Sequence, residues 1–210
     1  MTGTPPPTTV LLTSPLAPES GRRSLRQALK RVGPVLEPEW RLDAAAADLM
    51  AGPAALLRQT LDGISGPVVL CGVGSGVLVA LRVAADAGGR VQGLLLTIGR
   101  RSPGPVLVRS IHRGVADLLP LATLQRLGAG ERHLVQVMDG VRPQDYRVLA
   151  ARVDQPAVVA WGRRDLLDRR ASERLADALP HGRLVPVAGA GPGWVWDSPD
   201  RLAGLLSSVG

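Results

Sequence analysis

The chain of 210 residues has no phenylalanine, one tyrosine, one cysteine and, in Lys30, one lysine. Each scarcity excludes something. A lone cysteine, Cys71, rules out an internal disulfide and a cysteine-based zinc site. With four tryptophans and one tyrosine as its only aromatics, the chain lacks the stacking platforms on which single-stranded nucleic acids lie. No apolar run approaches the ~18 residues that span a bilayer. The opening MTGTPPPTTVLLTSPLAPES has no basic segment before its short apolar stretch, so it does not read as a signal peptide. These absences lead to the expectation of a soluble, cytoplasmic, single globular domain that binds neither nucleic acid nor membrane.

What is present is arginine. Lysine and arginine total 25 against 18 acidic residues, a formal net charge of +7. The arginines are scattered instead of forming one basic stripe, which argues against a nucleic-acid footprint. The densest run, Arg22, Arg23, Arg26, Lys30 and Arg31, interleaves with Leu25, Leu29 and Val32 at helical spacing. That pattern predicts an amphipathic helix with a solvated basic face.

Along the chain, strands are expected at 8–13, 67–71, 91–98, 156–161 and 183–187, with helices at 22–32, 43–62, 77–87, 170–179 and 199–208. PVLEP at 34–38 is a further short apolar segment. Alternation of this kind predicts a parallel sheet covered on both faces. Residues 103–150 break the rhythm. They read as helical with no strand, and so as a lid inserted into a core made of 1–102 and 151–210.

PVVLCGVGSGVLVALRVAA is strand, glycine turn, helix. A dinucleotide fingerprint would need glycine at 77, where Val77 stands, and a carboxylate after the next strand, which ends LTIGR. The methyltransferase form G-x-G-x-G fits Gly72, Gly74 and Gly76, but the acidic residues expected around it are missing. The third candidate is the nucleophile elbow, G-x-S-x-G.

The downstream half decides among them. Gly162 to Asp165 ends a strand in a Gly-x-x-Asp turn, a helix and strand follow, and Gly189-Ala190-Gly191-Pro192 precedes a helix that begins at Pro199. Over residues 8–100 and 155–208 the chain resembles α/β-hydrolase-fold proteins. That resemblance implies an α/β architecture, a mostly parallel sheet flanked by helices with a short helical lid, and a ligand site at the strands' carboxyl ends. It also implies three catalytic positions. The nucleophile position is Gly74 and the histidine position is Pro192; only the acid, Asp165, is kept. Ser75 lies one step beyond the elbow's centre, where its backbone N–H would contribute half of an oxyanion hole. The other half falls in Thr13-Ser14-Pro15, and Pro15 has no N–H to give.

A chain without the hydroxyl and the imidazole has lost nucleophile and base together. The expectation is therefore a degenerate, non-hydrolytic member that binds a mostly apolar small molecule without a cofactor or metal, either promoting a cyclisation or rearrangement or acting as a binding or scaffold protein. Asp165 and His112, on the lid with Val108, Val115 and Leu119, are the candidate acid/base groups. Pro15, Ser75, Tyr146, Trp194 and Trp196 are the candidate ligand contacts, the two tryptophans at the pocket mouth. Cys71, on a buried strand, reads as packing.

Overall fold

The computed structural model describes residues 6–14, 17–40, 50–98 and 146–209. Within them the chain order is β1 (Thr8–Thr13), α1 (Glu19–Lys30), β2 (Val35–Leu36), α2 (Ala51–Asp62), β3 (Val68–Val73), α3 (Gly76–Ala84), β4 (Val91–Thr97), α4 (Tyr146–Ala150), β5 (Ala157–Gly162), α5 (Leu166–Ala178), β6 (Gly182–Val187), α6 (Trp194–Asp197) and α7 (Pro199–Ala203). The six strands form one sheet in the order β2-β1-β3-β4-β5-β6, and every pair is parallel.

Period-two alternation splits the sheet's side chains between two cores. Val10, Leu12, Val68, Leu70, Leu94, Leu96, Ala157 and Val159 face one cluster, which includes buried residues of α2, α3 and α5. Leu11, Val69, Cys71, Val73, Leu95, Val158 and Ala160 face the other, with α1, α6 and α7. Both faces are covered, so the strands read as unbroken apolar runs. Helix α1 buries Gly21, Leu25, Ala28 and Leu29, which share one stripe at helical spacing.

Several elements differ from the sequence expectation. Helix α1 starts three residues earlier than expected, at Glu19. Its basic face is not wholly solvated: the Glu37 carboxylate, 7% exposed, lies 3.1 Å from Arg26 and 3.9 Å from Arg22. Strand β3 continues through Gly72 and Val73, which pair with Leu96 and Thr97, so the turn occupies fewer residues than the glycine spacing suggested. The expected last helix is α7 followed by a separate 3-10 turn at Leu206–Ser208. The lid expected at 103–150 lies outside the described residues except for α4, which packs on α3 and α5. No helix among the described residues is long and apolar enough to cross a membrane.

Candidate functional site

The topology itself locates a crevice. From β1 the chain steps to β2 on one side, and β3 then pairs with β1 on the other, so the strand order reverses between β1 and β3. Segments leaving the carboxyl ends of these two strands diverge to opposite faces, and ligands of parallel sheets bind where this happens. Ser14 follows β1 at this point and Gly74 follows β3.

The β3–α3 turn is built by three glycines with different duties. Gly74 has φ +63°, the left-handed region that costs any other residue strain. A methyl group on Gly74 would meet Cβ of Ser14 at 3.5 Å, an ordinary contact, so its constraint is conformational. Gly76 is the reverse case: a Cβ there would lie within bonding range of the Leu12 carbonyl oxygen, because α3 starts directly against β1. A Cβ on Gly72 would stand 3.0 Å from Cα of Val77. The turn is fastened by Gly74 N–H donating to the Thr97 carbonyl (3.0 Å) and by Val77 N–H donating to the Gly74 carbonyl (3.1 Å). Strand, sharp left-handed apex and helix packed tightly on the sheet are the form of a nucleophile elbow, with glycine at its apex.

Ser75 carries the hydroxyl nearest the apex in sequence. It opens α3 without capping it, and its Oγ is buried with no hydrogen-bond partner. Among the described residues no base engages that hydroxyl to activate it.

Asp165 lies at the end of β5, two strands from Gly74, or ~10 Å at the usual strand spacing. It is 3% exposed. Its Oδ1 accepts the Asp168 N–H at 3.1 Å, which makes it the N-cap of α5. Its carbonyl accepts Trp161 Nε1–H at 2.7 Å, and Arg169 lies over the Trp161 ring at 5.6 Å. The turn carrying Asp165 is tied to the loop after β6: Arg163 N–H donates to the Val187 carbonyl and Arg164 N–H to the Ala190 carbonyl. Pro192 lies on that second loop and is exposed.

Other expected site residues fall elsewhere. Trp194 and Trp196 are 4% and 8% exposed and belong to the core on the α1 face, not to an open rim. Trp194 Cδ1 sits 2.8 Å from where a Cβ on Gly162 would be, and Trp196 Cε3 lies at the same distance from one on Gly21. The two residues share a one-turn helix. Tyr146 is partly buried against the α3-side core. His112 and Pro15 lie outside the described residues. Cys71 is fully buried, and burial pushes its thiol up to about 12, which suits packing and not nucleophilic attack.

Sequence reasoning missed two buried polar groups on α5. Asp168 is 3% exposed and Ser172 is 1% exposed, and their i, i+4 spacing puts them on the stripe that continues through Leu175, Ala176 and Leu179. The signal was available: that stripe reads apolar except at its first two positions. No cluster of three or more His, Cys, Asp or Glu side chains that could hold a metal occurs among the described residues.

No protein-family profile matches this chain, and no curated protein matches it by sequence. Solved structures do match its shape. An α/β hydrolase enzyme from a metagenome of Mar Chica lagoon sediments, in Morocco, superposes with a TM-score of 0.67 at 19% identity, over 97% of this chain and 90% of that one. A hydrolase from Pseudomonas aeruginosa gives 0.67 at 21% identity, over 97% and 89%. The enol-lactonase from Burkholderia xenovorans gives 0.67 at 20% identity, over 100% and 93%. The chain has the α/β-hydrolase fold.

Proposed function

We propose that this chain is a non-hydrolytic protein of α/β-hydrolase fold that binds a mostly apolar small molecule in the crevice between β1 and β3, and that confinement there promotes a cofactor-free cyclisation or rearrangement. The observation that carries the reading is Gly74. The apex of the elbow has the left-handed backbone of a nucleophile position and no side chain to use it. The adjacent Ser75 hydroxyl has no hydrogen-bond partner, and the loop position of the catalytic histidine holds Pro192. Acyl transfer through a serine needs the hydroxyl and its base in contact. Orientation of a bound molecule, by contrast, needs only a shaped cavity and lowers barriers by ~7–11 kcal/mol in the best intramolecular cases.

A second reading, a binding or scaffold protein without chemistry, has its own support. Asp165 uses one carboxylate oxygen to cap α5, and Trp194 and Trp196 serve the core. The carboxylate and the two tryptophans thus have structural duties that do not require a substrate.

Two measurements test the common part. Activated aryl esters should turn over at the buffer rate, and a fluorophosphonate probe should leave the protein unlabelled. Stoichiometric labelling of any serine overturns the reading. Incubation of the protein with candidate acyclic precursors, followed by liquid chromatography with mass detection for a product of unchanged mass and shifted retention, separates the catalytic reading from the binding one.

A further inference from the structure

The second concentration of charge at the carboxyl edge lies beside β1 and β2. Glu37 follows β2 directly, and Thr13 ends β1. Thr13 Oγ1 donates to Glu37 Oε1 at 3.4 Å, and Arg26 Nη1 donates to Glu37 Oε2 at 3.1 Å. Arg22 comes one turn earlier on α1, closer to the loop that leaves β1. Its Nη1 lies 3.9 Å from Glu37 Oε1, too far for a hydrogen bond. Two guanidinium groups therefore share one carboxylate, which Arg26 holds by a hydrogen bond and Arg22 only at salt-bridge range. Arg22 is the more loosely held cation. Its Nε is buried and has no hydrogen-bond partner, while a third of the side chain stays exposed. The nearest other carboxylate on α1, Glu19, is held by Arg23 at 2.8 Å.

A buried guanidinium N–H without an acceptor is costly unless something accepts from it. Arginine's planar fork is matched by an oxyanion, which takes two parallel N–H bonds. The place is also apt. Thr13 is the residue before Ser14, so the cluster borders the crevice between β1 and β3.

We propose that Arg22 anchors the anionic end of the ligand, a carboxylate or phosphate oxyanion, at the carboxyl edge of β1 and β2. The substrate class is then an apolar molecule with one acidic terminus. This extends the proposed function, because the apolar part of the molecule would lie in the crevice already described.

The test is calorimetric titration with decanoate, decan-1-ol and inorganic phosphate, using the wild-type protein, Arg22→Gln, Arg22→Lys and Arg31→Gln. Arg31 is the control, an exposed arginine paired with Asp200 at the far end of α1. Decanoate should bind at least ~10-fold tighter than decanol to wild type and to Arg31→Gln, and the preference should vanish in Arg22→Gln. Arg22→Lys should recover part of it, since charge remains and the fork is lost. The preference should also shrink as salt is raised. Equal binding of decanoate and decanol to wild type overturns the anchor while leaving the apolar crevice standing. A preference that survives in Arg22→Gln overturns it too. If neither decyl compound binds but phosphate binds wild type and not Arg22→Gln, the anchor holds and the apolar crevice fails. Thermal melts of each variant confirm that the comparison is between folded proteins.

Discussion

Ser14 and Gly74 face each other across the point where the strand order reverses, and a Cβ on Gly74 would stand 3.5 Å from that of Ser14. The gap admits a small side chain. Packing alone does not explain glycine at the apex; its φ of +63° does.

Gly74→Ser should therefore destabilise the protein by about 1 kcal/mol or more, through the left-handed backbone and not through a clash. For a chain of this size the midpoint of thermal unfolding should fall by ~2–4 °C. The serine so placed should not hydrolyse esters, because position 192 offers it no base. Gly74→Ser with Pro192→His should show traces of hydrolysis above the single variant. An unchanged or raised melting temperature for Gly74→Ser would remove the strain argument.

Gly76→Ala should cost far more, for the opposite reason. The residue is helical, so alanine suits its backbone, but the new methyl would overlap the Leu12 carbonyl oxygen. Relief requires α3 to lift from β1, and backbone has little room to give. A loss of ~3 kcal/mol or more is expected, at the upper end of overpacking effects. Denaturant unfolding of the Gly74→Ser and Gly76→Ala proteins side by side checks the order. A Gly76→Ala protein as stable as wild type would mean that the α3–β1 approach is looser than described.

The contrast shows what the amino-acid order could and could not reveal. Strands β1, β3, β4 and β5 were legible because a parallel strand buried on both faces is apolar almost throughout; the edge strand β6, only half-buried, was legible from its Leu184-Val185-Pro186-Val187 run. The three turn glycines were legible as a motif, and centring the elbow on Gly74 marked it as the one that needs a left-handed φ; nothing in the letters showed that Gly76 needs its missing Cβ. Trp194 and Trp196 were expected at the pocket mouth, whereas a single helical turn carries both into the core against Gly162 and Gly21. Glu37 was illegible for another reason. Its burial depends on Arg22 and Arg26, which reach it only after α1 has packed against β1 and β2.

Asp165 can be tested as a cap independently of any chemistry. Asp165→Asn keeps an oxygen that can accept the Asp168 N–H, while Asp165→Ala leaves that donor unmet at a buried helix start. The alanine variant should lose ~0.5–2 kcal/mol through the cap alone, and the asparagine variant less. If chemistry is found, a loss of turnover in the asparagine variant with little loss of stability would give the carboxylate a role beyond capping. Equal destabilisation by both substitutions would refute the account of Asp165 as a cap.

Among the described residues, Cys71 is the group whose titration burial clearly moves. The Cys71 thiol is pushed from its ordinary 9.0 to about 12 because the thiolate would lie in the core between β1 and β4. A folded-state pKa raised above the unfolded one means that the native protein holds its proton where the unfolded chain releases it. Stability from this group is thus full below pH ~9 and is lost as pH rises toward ~12, at about 1.4 kcal/mol per unit within that window. Cys71→Ala removes the titration at the cost of a small cavity, so the absolute stabilities will differ at every pH. The informative quantity is the slope: between pH 8 and 10.5 the wild-type protein should lose stability faster than Cys71→Ala. The native thiol should also resist aromatic disulfide reagents that modify the unfolded chain at once. Parallel slopes, or rapid modification of the folded protein, would place Cys71 nearer to solvent than the sheet allows.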